Sequence, residues 1–173
     1  SAVSAGRMSW YPAYRYAIND IEGAYDTLGI GMSSPLYGPN GDLIGVTAAD
    51  VALSQVSNLL RELGGNASSV AFIAETDGKL LATSTLDAVY RINGEKTERI
   101  HFSNSDNPLI RAAGASLQAA GRPEGNAHIE VDGERYLIDW RTLQLEQGPQ
   151  LCIGVIMPKA NLDSVANSML RNV

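Results

Sequence analysis

The sequence has little of what builds metal and redox centres. It contains a single cysteine, Cys152, in 173 residues, so neither a disulfide framework nor a thiol metal site can form within the chain. Cys152 lies in the apolar run 151–157, where we expect a small buried hydrophobic residue. The two histidines, His101 and His128, lack the His-x-x-x-His and Glu-x-x-His spacings of metal sites. We therefore predict no metal and no cofactor.

Positive charge and long apolar runs are also scarce. The formal net charge is -6 and the pI is near 4.8, and no Lys/Arg cluster offsets this balance. Such a surface repels a phosphate backbone, so nucleic acid is not an expected partner. No apolar run has the length that crosses a bilayer. Any membrane attachment is expected through flanking segments outside this chain.

Motifs for catalysis are missing as well. Ser103 lies close to His101 in a polar, turn-rich segment, but the Gly-x-Ser-x-Gly elbow of a serine hydrolase is absent. Gly29, Gly31 and Gly45 form neither a dinucleotide-binding motif nor a P-loop. We therefore predict that this chain is not an enzyme. A hydrolase built from scattered residues is the alternative that sequence patterns leave open.

What the sequence does contain is a repeated ending. Ile44-Gly45-Val46 recurs 109 positions later as Ile153-Gly154-Val155, and the same offset carries Leu53 onto Leu162 and Val56 onto Val165. Each copy reads as a β-branched strand followed by an amphipathic helix. This repeat predicts two related α+β units joined through the first helix, with the second helix leaving the domain at its C-terminal end.

The first unit reads as a small antiparallel meander. Tyr14, Tyr16 and Ile18 alternate with polar or small residues, which is the period of a strand. Gly64-Gly65 is placed to end the helix that follows. The predicted elements are a strand at 14–18, a turn-rich stretch at 19–26, a strand over 28–32, a turn at 38–41, a strand at 42–50 and a helix at 50–63.

The second unit reads as a complete PAS-like fold, with an antiparallel five-stranded sheet over about 66–158 and the 50–63 helix beside it. Thr76-Asp77-Gly78 is a strong hairpin signal, and Asp106 is placed to cap the helix that follows a polar, irregular region at 85–105. The predicted elements are strands at 70–74 and 79–84, a helix at 108–120, and strands at 127–131, 135–143 and 150–157. The order of elements gives the α+β class, preceded by a partial second PAS-like unit.

Two segments carry a resemblance to a known family. Residues 34–46, followed by Asp50 and the helix at 53–63, and residues 72–84 resemble the extracytoplasmic double-Cache sensors of bacterial transmembrane receptors. Members of that family carry a long N-terminal helix and a complete membrane-distal unit. The resemblance therefore implies the closing strands of a distal unit at 1–50, a connecting helix at 51–65, a membrane-proximal unit at 66–158, and the start of a signalling helix at 159–173.

The function implied by this resemblance is sensory. It implies a domain on the periplasmic side of the inner membrane that binds an unidentified small-molecule ligand and passes a conformational signal to a cytoplasmic output, such as a kinase or cyclase. The alternative is a PAS-type dimerisation or interaction module without a small ligand. A homodimer that pairs through the helices agrees with either interpretation.

The resemblance also implies ligand-contacting residues in the distal unit. Amino-acid-binding members use an aspartate after the Gly-Val strand to accept the ligand amine, and an arginine two positions before an aromatic pair. Asp50 and the pair Trp10-Tyr11 match these positions, whereas Met8 stands where the arginine is expected and Arg7 is one residue away. The ligand class therefore stays open.

Strand periodicity gives a second argument for Asp50 and adds four candidate ligand-contacting residues. Asp50 shares a predicted strand face with apolar residues, where a carboxylate needs a partner; its alternative role is to cap the helix beside it. Tyr14 and Tyr16 offer pocket walls with hydroxyl groups, with core packing as the alternative. Tyr136 and Trp140 lie on the face predicted to turn towards the helices, where a PAS-like cavity would lie.

Overall fold

The computed structural model describes residues 2–20, 23–63, 68–94 and 96–161, and along 16–26 it describes backbone only. The elements, in chain order, are α1 (Ala2–Ala5), β1 (Ser9–Asp20), β2 (Gly23–Tyr37), β3 (Leu43–Ala52), α2 (Leu53–Leu63), β4 (Val70–Glu75), β5 (Leu80–Thr83), β6 (Tyr90–Asn93), β7 (Lys96–Arg99), α3 (Pro108–Ala120), β8 (Glu124–Val131), β9 (Glu134–Gln144) and β10 (Gln150–Pro158). A 3₁₀ turn, Phe102–Asn104, precedes α3.

The larger sheet confirms the predicted antiparallel five-stranded unit. Its strand order is β5-β4-β10-β9-β8, and every pair is antiparallel. α3 covers one face, and Ile110 and Ala113 of this helix pack in the core with Ile138 and Trp140 of β9. The predicted face of β9 therefore does turn towards the helix, as its alternation of apolar and polar residues indicated.

The cap of α3 is one residue away from its predicted position. Asn107, not Asp106, is the N-cap, and its side-chain oxygen accepts hydrogen bonds from the N–H groups of Leu109 and Ile110. Asp106 instead pairs with Arg91 at 2.9 Å. Both residue types are good N-caps. The choice between them depends on the tertiary placement of Arg91, which local sequence does not reveal.

The region 85–105 is more regular than its polar composition predicted. β6 and β7 form a two-stranded hairpin around Gly94, whose φ is 63°. From the end of β7, the guanidinium of Arg99 pairs with Glu75 of β4 at 2.7 Å and also donates to the carbonyl oxygen of Leu80. A partly buried ion pair therefore fastens this hairpin to the large sheet.

The smaller sheet has the order β1-β2-β3 and is longer in both directions than predicted. β1 continues to Asp20 and β2 begins at Gly23, so the predicted turn-rich stretch at 19–26 is mostly strand. β3 continues to Ala52, and α2 begins at Leu53 and not at position 50. Cross-strand pairing outweighed the turn preferences of the Asn, Asp and Gly residues in these segments.

α2 connects the two sheets through an apolar cluster. Leu53 at its start is buried with Leu28 and Ile30 of β2 and with Leu81 of β5. Its first turn is capped by a residue of β2, because the hydroxyl of Thr27 accepts a hydrogen bond from the N–H of Ser54 at 3.1 Å. The smaller sheet is thereby held against the larger one.

Several predictions lie outside the described residues. These are the side chain of Tyr16, the Gly64-Gly65 helix end, the positions Leu162 and Val165 of the repeat, and most of the predicted signalling helix. Among the helices that the structure does describe, none is long and apolar enough to span a membrane.

Candidate functional site

Three of the predicted site residues meet on one face of the smaller sheet. The hydroxyl groups of Tyr11 and Tyr14 both donate to Oδ1 of Asp50, the second over 2.8 Å. The centroids of the two phenol rings are 5.7 Å apart and the ring planes are inclined by 59°. Tyr14 is 37% exposed, so it is not the packed core residue of the alternative interpretation. We call Tyr11, Tyr14 and Asp50 the carboxylate–phenol cluster.

A β-bulge in β1 makes this cluster geometrically feasible. Tyr11 pairs with Gly31 but Tyr14 pairs with Gly29, so β1 contains one extra residue between two pairs of the ladder. Residues three apart lie on opposite faces of a regular strand, and the extra residue returns both tyrosines to one face. The sequence signal was Pro12, which cannot donate to a ladder and is typical of bulges.

Gly31 provides the space in which the cluster forms. It is the cross-strand partner of both Tyr11 and Asp50, so it lies between them on the central strand. A Cβ atom at Gly31 would overlap the Tyr11 hydroxyl and would lie 2.6 Å from Oδ1 of Asp50 and 2.5 Å from the backbone oxygen of Ala49. Any side chain at Gly31 would therefore prevent the tyrosine from reaching across to Asp50.

The hydrogen bonds of the cluster use only one oxygen of the Asp50 carboxylate. Oδ1 of Asp50 accepts two phenol protons, and within the described ranges neither a cation nor any other donor contacts its Oδ2. Partial burial, with the Asp50 carboxylate beside it, raises the pKa of Tyr11 far above that of a free phenol. Tyr11 therefore stays protonated and remains a hydrogen-bond donor.

The alternative role of Asp50 as a helix cap is wrong. Asp50 lies inside β3, three residues before α2 begins, and the first-turn N–H of Ser54 is bonded to Thr27. The expected apolar strand face around Asp50 is present but open, since Ile44 is 72% and Val46 is 49% exposed. Asp50 therefore projects from a surface with apolar surroundings and makes its hydrogen bonds to the two tyrosines.

Trp10 lies beside Tyr11 in the chain but makes a different contact. Its indole N–H donates to the carbonyl oxygen of Glu146 at 3.1 Å, in the loop between β9 and β10. A Cβ atom at Gly148 of that loop would lie 2.6 Å from the indole nitrogen, so the ring packs directly on the glycine. Trp10 also lines a cavity of about 480 Å³ between the sheets, together with Ile30 and Glu75. It joins the smaller sheet to the larger unit.

The two predicted site residues of the larger unit have different surroundings. Trp140 is 2% exposed and lines a cavity of about 340 Å³ beneath the C-terminal end of α3. Tyr136 packs against the edge of the same core, but its hydroxyl donates to Glu134 at 2.9 Å near the β8–β9 turn. Tyr136 is not part of the cavity lining.

The pairing of His101 with Ser103 is local. Nδ1 of His101 lies 2.7 Å from the Ser103 hydroxyl and also accepts the N–H of Ser103, which is the arrangement of a cap on the 3₁₀ turn. Among the described residues no carboxylate is hydrogen-bonded to this imidazole, and no three His, Cys, Asp or Glu side chains are grouped as metal ligands.

Comparison with known proteins gives matches in structure only. No protein-family model and no curated protein matches the sequence. The ligand-binding domain of the Pseudomonas fluorescens chemoreceptor CtaA, in complex with L-isoleucine, matches over 95% of this chain with a TM-score of 0.54 and 17% identity. The chain has the fold of a Cache-type chemoreceptor sensor domain. The predicted fold class is thereby confirmed.

Two further neighbours support the Cache-type fold. The ligand-binding domain of the Pseudomonas aeruginosa PAO1 amino acid chemoreceptor PctB, in complex with L-Arg, matches over 99% of this chain at a TM-score of 0.55 and 18% identity. The periplasmic sensory domain of the Campylobacter jejuni chemoreceptor Tlp1 matches over 89% of this chain, with a TM-score of 0.59 and 13% identity. The matched regions cover 57%, 58% and 50% of the CtaA, PctB and Tlp1 chains, so this chain spans between half and about three fifths of their length.

Proposed function

We propose that this chain is part of an extracytoplasmic sensory domain of a bacterial transmembrane signalling protein, and that its ligand carries an ammonium or similar cationic group bound at Asp50. The observation that carries this proposal is the carboxylate–phenol cluster. A carboxylate fixed by two phenol donors, with Oδ2 open and no cation paired to it in the described residues, is preorganised for a ligand cation.

The chemistry of the cluster suits such a ligand. Tyr11 and Tyr14 hold one carboxylate oxygen and leave the other to receive N–H donors. A hydrogen bond from an ammonium group to Oδ2 would be charge-assisted and therefore roughly twice as strong as one between neutral groups. The neighbours CtaA and PctB were solved with L-isoleucine and L-Arg, both of which carry an ammonium group.

The domain arrangement is part of this proposal. The smaller sheet would belong to a membrane-distal unit, α2 would connect the units, and residues 66–158 would form the membrane-proximal unit that continues into a signalling helix. The periplasmic setting rests on the sensory neighbours, of which Tlp1 is described as periplasmic. The chain itself would have no catalytic turnover, and the output activity would lie in a cytoplasmic domain of the same receptor.

Calorimetric titration with the standard L-amino acids, their decarboxylated amines and their N-acetyl derivatives tests the ligand class. Because this chain spans little over half of its neighbours, the titration uses both this chain and the complete protein that contains it. We expect the free amino group to be required. Asp50→Asn should lower the affinity roughly ten- to a hundredfold, as the loss of one charge-assisted contact does.

Asp42→Asn is the matched control, because Asp42 is an exposed carboxylate immediately before β3 and outside the cluster. Equal affinities of the Asp50 variant and wild type, or equal affinity for an amine and its N-acetyl derivative, would refute the cationic site. Thermal melts of both variants show whether a lost heat signal reflects unfolding.

One observation favours the second candidate, a dimerisation module without a small ligand. β3 exposes Ile44 and Val46 on one face, and apolar strands of this kind pair with other chains. Sedimentation equilibrium separates the two functions. A dimer that Ile44→Lys dissociates, in a protein that binds none of the titrated compounds, would favour the dimerisation module.

A further inference from the structure

The cavity beneath the C-terminal end of α3 has the features of a second binding site. Its volume is about 340 Å³, and its floor consists of the buried side chains of Trp140, Phe102 and Cys152. The hydroxyl of Thr142 is held by the carbonyl oxygen of Pro123 at 2.6 Å, and the amide of Gln118 completes the polar side. An apolar floor with a few polar groups is the usual composition of a small-molecule site.

Arg122 is held over this floor by two features of the sheet. Its Cζ lies 5.8 Å from the centroid of the Trp140 ring, and the Trp140 indole N–H donates to its carbonyl oxygen at 3.2 Å. The residue opposite Trp140 on β8 is Gly125, where a Cβ atom would lie 2.7 Å from Nε of Arg122. Because Gly125 has no side chain, the guanidinium of Arg122 has room to lie over the Trp140 ring.

Charge in the cavity lining is not balanced. Arg122 forms no ion pair with any described residue. The other charged residue of the lining, Glu75, is paired with Arg99 at 2.7 Å, so its charge is already compensated. The uncompensated charge at this cavity is therefore positive, and the group that best complements a guanidinium fork is a carboxylate.

We infer that this cavity binds a small carboxylate with an apolar or aromatic body, with the carboxylate on Arg122 and the body on Trp140 and Phe102. The site lies in the larger unit and is independent of Asp50. A molecule of this class would act as a second input to the domain, separate from the cationic ligand of the smaller sheet.

Calorimetric titration with phenylacetate tests this site, with benzylamine and 2-phenylethanol as probes that share its phenyl group but carry a cationic or a neutral polar group. In the Asp50→Asn variant, in which the cationic site is disabled, we expect saturable binding of phenylacetate and no comparable binding of the other two compounds. Arg122→Gln should weaken phenylacetate binding roughly ten- to a hundredfold. Arg135→Gln, which removes an exposed arginine from the same sheet outside the cavity, should leave it unchanged.

Two further variants keep the test decisive. Gly125→Ala retains the charge but displaces the guanidinium, so it should also weaken binding, even if Arg122→Gln fails to fold. Asp50→Asn should leave phenylacetate binding unchanged, which separates failure of this site from failure of the cationic site.

Arg122 follows the last turn of α3, so its alternative role is to offset the carbonyl groups of the helix end. That role predicts that Arg122→Gln lowers the melting temperature without altering phenylacetate binding. This result, or equal binding of all three probes, would overturn the proposal.

Discussion

β3 and β10 are related by the 109-residue repeat, yet their surroundings differ completely. β10 lies in the middle of its sheet, paired with β9 on one side and β4 on the other. Among the described residues β3 pairs with β2 alone and exposes Ile44 and Val46. The same apolar strand pattern is therefore core in one unit and surface in the other. Which of the two results depends on neighbouring strands, because a strand's own sequence does not determine its burial.

Gly45 and Gly154, the two equivalent glycines of the repeat, differ in the space around them. At Gly154 a Cβ atom would lie within 2.5 Å of the Phe72 ring, which β4 places directly opposite. At Gly45 the same atom would meet nothing within 4 Å. The free edge of β3 thus corresponds to the edge of β10 that pairs with β4.

The largest expected effect is from truncation of the buried strand. Ile156 of β10 is fully buried, so Ile156→Ala should cost about 2–5 kcal/mol of unfolding free energy through lost burial and a cavity. Ile44→Ala in β3 is the matched substitution and should change it by less than about 0.5 kcal/mol. Urea denaturation followed by circular dichroism measures both. Similar losses would mean that β3 is covered in solution.

Next in size is the pair of glycine substitutions. Gly154→Ala forces a methyl group into the Phe72 ring and should cost up to about 3 kcal/mol, as overpacking of a core does. Gly45→Ala should be close to neutral in the same denaturation experiment. A large loss at Gly45 would contradict the open environment described for it. It would indicate that another strand, from this protein or a second copy, lies against β3.

A smaller effect is expected at Gly31, a tightly packed glycine of the smaller sheet. Gly31→Ala should cost about 1–2 kcal/mol, because the Tyr11 hydroxyl can swing away but the backbone of Ala49 cannot. It should also abolish the Tyr11–Asp50 hydrogen bond and, with it, binding at the cationic site. Denaturation and amino-acid titration of the same variant measure both. Unchanged binding would show that the cluster does not form the site.

The smallest expected effect concerns pH. A neutral Tyr11 is favoured in the folded state because its pKa is raised there, whereas a tyrosine in the unfolded chain loses its proton near pH 10. The stability that Tyr11 contributes is therefore complete below about pH 10 and is lost as pH rises towards the folded pKa. Tyr11→Phe should flatten the fall in denaturation midpoint between pH 9 and 11. An identical slope in wild type and variant would argue against the raised pKa.

Periodicity predicted the larger unit well and the smaller one less well. The hairpin at Thr76-Asp77-Gly78 and the positions of β8 to β10 follow from turn residues and alternation, which are local signals. The start of α2 and the hairpin of β6 and β7 were missed, because long-range pairing and the Arg99–Glu75 contact determine them. Local preference is weak where tertiary contacts compete with it.

The candidate site was predicted residue by residue but not as a group. Asp50, Tyr11 and Tyr14 were each expected to contact ligand, yet strand alternation places the two tyrosines on opposite faces. Pro12 breaks that alternation, and the resulting bulge could have been inferred from a proline within a strand. The contact between Trp10 and Gly148 could not be predicted from local sequence patterns, because 138 positions separate the two residues.

The Thr27 hydroxyl at the start of α2 has a consequence for the order in which the protein folds. The cap comes from 27 positions upstream, so this helix gains its N-terminal hydrogen bond only after β2 has been placed against it. A helix of this length has little stability alone in water. We expect α2 to consolidate after the β2–β3 hairpin during folding, and a peptide of residues 53–63 to be largely unstructured in isolation.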